Sequence, residues 1–186
     1  MTLSCTAFAG DRRIASGAPR DVVPAVKAAT EAGESVLIFD DADAKPVEFD
    51  LRGDLDAVLA RLPVPVEEKP KEPKRGPGRP KLGVTAREVT LLPRHWDWLA
   101  AQPGGASVTL RKLVEGALRE AEGPDRARKA KEAAYRFMTA MAGDRPAYEA
   151  AVRALFADDW RGFDAATEGW PADVREMATR LTGPAR

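Results

Sequence analysis

The sequence has one cysteine and one histidine, Cys5 and His95, in 186 residues. A lone thiol cannot staple a chain to itself, and one Cys with one His cannot supply the four ligands of a structural zinc site. No metal and no cofactor is expected. Long apolar runs are also missing: nothing approaches the roughly 18 residues a membrane span needs, and no basic, then apolar leader opens the chain. A cytoplasmic protein without a membrane partner is therefore expected. Net charge is zero, which argues against a protein that coats a polyanion with its whole surface. Paired nucleophile and base, a phosphate-cradling glycine loop between strand and helix, and a metal cluster are all lacking, so no catalytic residues are assigned and no enzyme is expected.

What is present is uneven. Apolar residues make up 44% of the chain, enough for real cores. Residues 1–62 carry seven basic and eleven acidic side chains, whereas residues 63–86 carry six basic and three acidic. Positive charge is thus concentrated in one short stretch. That stretch also holds Pro63, Pro65, Pro70, Pro73, Pro77 and Pro80, a composition that cannot close a core and reads as an extended linker.

The periodicity on either side predicts an α+β protein in four segments. Residues 1–62 read as a small ββαββα domain. Leu3–Ala9 and Arg12–Ala15 make one hairpin about Gly10-Asp11, and Val22, Val23, Val26 and Ala29 share a helix face. Ser35–Phe39 pairs with Val47, Phe49 and Leu51 in a second hairpin, and Asp54 caps a last helix. Residues 63–86 are the linker. Residues 87–122 read as a strand at Val89–Leu92, a helix opened by Pro93, a Pro103-Gly104-Gly105 break, and a helix capped by Ser107. Residues 123–186 read as a helical bundle, with Pro124, Pro146 and Pro171 at helix starts. The turn bearing Asp40, Asp41 and Asp43 reads as a solvated acidic hairpin, because Lys45 and Pro46 stand where a calcium loop needs more oxygen ligands.

Two stretches point to nucleic acid. Pro77 and Pro80 fix φ while Gly76 and Gly78 keep the backbone thin. Lys74, Arg75, Arg79 and Lys81 make the ribbon basic. Gly78, Arg79 and Pro80, flanked by Lys74-Arg75 and Lys81, resemble an AT-hook, although Pro77 stands where a second Arg often sits. The resemblance implies that Arg79 enters the narrow minor groove of A·T-rich DNA while its neighbours hold phosphates.

Residues 87–120 resemble the ribbon-helix-helix fold of Arc-type repressors, in which two chains pair single strands into a ribbon that enters the major groove. The resemblance implies a homodimer built on Val89, Leu91, Trp96, Leu99, Leu110, Leu113, Val114 and Ala117. It implies DNA contacts by Arg87 and Thr90 on the ribbon, and by Ser107, Thr109, Arg111 and Lys112 at the second helix's start. Two registers are open for the strand: Val89 and Leu91 inward with Thr90 outward, or Thr90 and Leu92 inward with Arg87, Val89 and Leu91 outward. Either presents fewer polar groups than base reading favours. The remaining segments would bind a ligand or protein partner.

Over nearly its full length the chain also resembles a bacterial family of unknown function, through Arg87–Trp96 and Ala134–Asp144. The expectation is a DNA-binding transcriptional regulator or nucleoid protein contacting double-stranded DNA. The alternative is a protein-protein interaction module, antitoxin-like or a scaffold, with the linker as a spacer.

Overall fold

The computed structural model describes residues 4–62, 85 and 87–186. The order of elements is β1 (Cys5–Ala9), β2 (Arg12–Gly17), α1 (Pro19–Glu31), β3 (Val36–Asp40), α2 (Leu55–Arg61), α3 (Pro93–Ala100), α4 (Gly105–Ala142), α5 (Tyr148–Phe156), α6 (Trp160–Thr167) and α7 (Ala172–Thr182). The α+β class agrees with the periodicity. The chain divides into two compact units, residues 1–65 with 123–186, and residues 66–122.

In the first unit β1 is the middle strand of an antiparallel sheet ordered β2-β1-β3. Its sequence, Cys-Thr-Ala-Phe-Ala, is buried throughout, as a strand covered on both faces must be. Alternation divides the work. Cys5 and Ala7 join Val22 and Val26 of α1 and Ile38 of β3 on one face. Phe8 and Phe39 turn to the other face and meet Phe137, with ring centroids 5.1–6.3 Å apart. Around this trio pack Met138 and Met141 of α4, Leu155 of α5, Phe163 of α6, and Val174, Met177 and Leu181 of α7. Each fully buried ring contributes roughly 1.5–3 kcal/mol by leaving water. The N-terminal strands and the C-terminal helices, distinct segments in the sequence, thus share one core.

The turn between β1 and β2 is made by Gly10 at φ +55°, which L side chains seldom adopt. Trp170 adds a polar anchor, its Nε1 donating to the Pro146 carbonyl at 3.1 Å.

Several expected elements differ. The second hairpin stops at once: Pro46 bridges to Phe39, Val47 N–H donates to the Ile38 carbonyl at 2.8 Å, and no strand follows. Pro46 has no donor to start a ladder. Val47, Phe49 and Leu51 pack instead against the clusters beneath α1 and α2. The N-terminal pattern is therefore ββαβα. Residues 87–92 form no strand; a ladder needs a second strand beside it, and none of the described residues supplies one. Pro124 does not begin a helix, since α4 runs through it, forgoing the hydrogen bond its missing N–H would have made. Ser107 is not a cap, because α4 begins two residues earlier at Gly105, where Gly104 and Gly105 have φ of +91° and +71°. Nor does Pro146 open α5, which starts at Tyr148 behind Ala147 in the left-handed region.

Candidate self-association and nucleic-acid interface

The second unit is built from two amphipathic helices. Pro93, lacking an N–H that would be unpaired anyway, opens α3 after Leu92 in extended conformation. Leu92, Trp96 and Leu99 fall on one side of it by helical spacing. Leu99 is 3% exposed, but Leu92 and Trp96 are exposed. Trp98, on another side, is 53% exposed. Gly104 cannot be replaced without strain: a Cβ there would lie 3.1 Å from the Val108 side chain.

The first part of α4 carries Leu110, Leu113, Val114, Ala117 and Leu118, one continuous stripe by the i, i+3, i+4, i+7, i+8 rule. Leu110 is half-buried. Leu113, Val114 and Leu118 are 51%, 56% and 65% exposed, and Ala117 is exposed with them. Val89 is exposed and Leu91 half-buried. Of the eight residues assigned to a dimer interface, only Leu99 is fully covered in the single chain. A run of exposed large apolar groups this dense is uncommon on a lone chain.

The assigned DNA contacts fall into three groups. Lys74, Arg75, Gly78, Arg79, Pro80 and Lys81 lie outside the described residues. Arg87 and Thr90 are exposed on the irregular chain before α3. Ser107, Thr109, Arg111 and Lys112 lie in the first two turns of α4, and Lys112 is exposed. α4 starts at Gly105, whose N–H donates to the Gln102 carbonyl at 2.9 Å, so the Thr109 N–H is inside the helical ladder and not among the free donors of the first turn. Arg111 folds back, its Nε donating to the Ser107 carbonyl at 3.1 Å.

The first unit holds a polar cluster that the sequence concealed. Asp41, read as a solvated turn residue, accepts from the Ser4 hydroxyl at 2.6 Å, the Thr6 hydroxyl at 2.6 Å and Arg180 Nη2 at 2.8 Å. Thr6 is wholly buried and its Oγ1 lies 2.9 Å from Ser16 Oγ. Burial pushes the Asp41 carboxyl up, but the bonds from Ser4, Thr6 and Arg180 outweigh it and hold it below the usual range. Burial, with help from Asp41 and Asp40, raises the Cys5 thiol to about 11. Such a thiol is inert at neutral pH. A second tie joins β2 to α7: Arg13 N–H donates to Asp173 at 2.8 Å, and its guanidinium pairs with Glu176 at 3.0 Å. Of these contacts, those that reach α7 span 139 to 163 residues of sequence, so no local pattern could have announced them. They knit the unit and form no reactive pair. A shallow groove of about 420 Å³ lies beside Tyr135, Arg136, Thr139 and Phe156, lined by an edge-to-face aromatic pair 5.8 Å apart.

Among the described residues no group of His, Cys, Asp and Glu could hold a metal ion, and no helix is long and apolar enough to cross a membrane. The fold defines a mixed α+β protein whose three-stranded sheet is packed with helices on both faces, with a second helical unit that leaves its apolar stripe open. The chain belongs to a bacterial family, the uncharacterized protein conserved in bacteria (DUF2239), whose pattern it matches over residues 4–182. No curated protein and no solved structure matches it.

Proposed function

We propose that this chain is a homodimeric DNA-binding protein, a transcriptional regulator or nucleoid protein, in which residues 87–120 pair with a second copy and the basic 74–81 ribbon lies in a minor groove. The observation that carries the reading is the exposed stripe of Leu113, Val114 and Leu118 with Val89, Leu92 and Trp96, close behind the one basic segment of the chain. A segment this short cannot bury two apolar helix faces by itself, and association with a like segment is the economical solution. Two copies set two basic ribbons beside one another, doubling the phosphate contacts. Arg79 enters the groove, Arg75 and Lys81 hold flanking phosphates, and Lys112 at the start of α4 adds another.

Binding of A·T-rich and G·C-rich duplexes by gel shift across a salt series tests this. Each neutralised phosphate contributes about −0.9 to the slope of log affinity against log salt. Arg79→Ala should weaken A·T-rich binding and flatten that slope, and deletion of residues 74–81 should do so further. Duplex binding that is absent at low salt, or indifferent to the deletion, rejects the proposal.

The same open stripe favours a second reading, an interaction module whose apolar face takes another protein while the linker acts as a spacer. Its signature is a stable hetero-complex with no affinity for DNA.

A further inference from the structure

The α4 stripe carries information about how a second copy would sit on it. Counting 100° per residue, Leu110, Leu113, Val114, Ala117, Leu118 and Ala121 share one face of the helix. These positions are symmetric about a point between Glu115 and Gly116. Turned end for end about that point, 110 falls on 121, 113 on 118, and 114 on 117. Two-fold pairing requires a surface that matches itself under this operation.

Symmetry of the apolar positions alone permits a parallel pair as well. The charges decide. Arg111 and Glu122 lie on the same flank of the stripe, about 20° apart around the axis and eleven residues apart along it. Glu120 lies on the opposite flank with Thr109. Both Arg111 and Glu122 are exposed, and neither joins an ion pair among the described residues. In an antiparallel pair like flanks face each other, so Arg111 of one copy stands within side-chain reach of Glu122 of the other, twice. In a parallel pair opposite flanks face each other, so Glu122 would stand within about 3 Å along the axis of the other copy's Glu120, which is repulsive. Charges at such flanking positions set helix orientation.

We infer that the first half of α4 forms an antiparallel two-fold pair with a second copy of this chain, centred between Glu115 and Gly116 and held in register by reciprocal Arg111–Glu122 ion pairs. This rests on the self-association in the function proposed above, and is independent of DNA. Arg111 then belongs to the interface rather than to a phosphate.

Single introduced thiols test it, since Cys5 is buried and does not compete. In the antiparallel pair residue 114 lies about 4.5 Å along the axis from its counterpart and residue 110 about 16 Å from its own, at 1.5 Å per residue. Disulfides need Cα atoms within about 7 Å. On oxidation of the full chain, Val114→Cys should cross-link to itself. Leu110→Cys alone should not, but should cross-link when mixed with Ala121→Cys. Arg111→Glu and Glu122→Arg should each weaken the dimer in sedimentation at low salt, and the double exchange should restore it. Self-linking of Leu110→Cys as efficient as that of Val114→Cys overturns the orientation while leaving self-association intact. A wild-type chain that sediments as a monomer at all concentrations overturns both.

Discussion

The two units treat the same kind of helix in opposite ways. Residues 133–142 of α4 place Ala133, Ala134, Phe137, Met138 and Met141 in a core closed by strands and helices of the same chain. Residues 110–118 present a stripe of equal regularity and leave most of it in water. An amphipathic pattern therefore shows that a face wants covering, but not whether the cover lies within the chain. The first unit draws on elements from both ends of the sequence. Among the described residues the second has only α3 and the first part of α4, too few to enclose an apolar centre.

Breaking the closed core should have the largest effect. Phe137→Ala removes the ring shared by Phe8 and Phe39, and should cost about 3–5 kcal/mol in urea unfolding. Self-association should survive wherever the variant stays folded. Next comes the open stripe: Leu113→Glu should lower the thermal midpoint of the first unit little while raising the dimer dissociation constant by about ten- to a hundred-fold, read by sedimentation. An equal loss of unfolding stability in both variants would erase the distinction between the units.

Asp41→Asn should be intermediate, about 1–3 kcal/mol, because it removes a charged acceptor from Ser4, Thr6 and Arg180. The pH dependence has a definite sign. The native carboxyl is held below its ordinary value, so the unfolded chain takes up the proton first as pH falls. Its contribution is complete above about pH 4 and is lost as pH drops through the native value. Acid unfolding followed by circular dichroism should be flatter below pH 4 in the variant. Smallest of all is the exposed Arg12–Glu34 pair, 3.1 Å apart: Arg12→Ala should change stability by less than about 0.5 kcal/mol.

Much of the fold was legible because it is local. The β1–β2 hairpin, the Val22-Val23-Val26-Ala29 face of α1, the cap by Asp54 and the break before α4 follow from turn residues and period. Proline misled at three places. Pro46 cut short a strand that alternation favoured, Pro124 starts no helix because α4 runs through it, and α5 starts two residues after Pro146. The apolar stripe of α4 was legible as a surface, and its residues were named from spacing. Asp41 was not legible, since its environment comes from Ser4, Thr6 and Arg180 at distant points of the chain.

Composition and period alone settled that this is an α+β protein with one basic, proline-rich stretch of sequence and an amphipathic segment behind it, because charge, helix faces and turns depend on near neighbours. Tertiary structure alone decided that the N-terminal strands and C-terminal helices share a core, that Asp41 meets Ser4, Thr6 and Arg180, and that the Leu113–Leu118 face stays open. Burial is a property of what arrives from elsewhere in the chain, and nothing within a few residues of a side chain records that arrival.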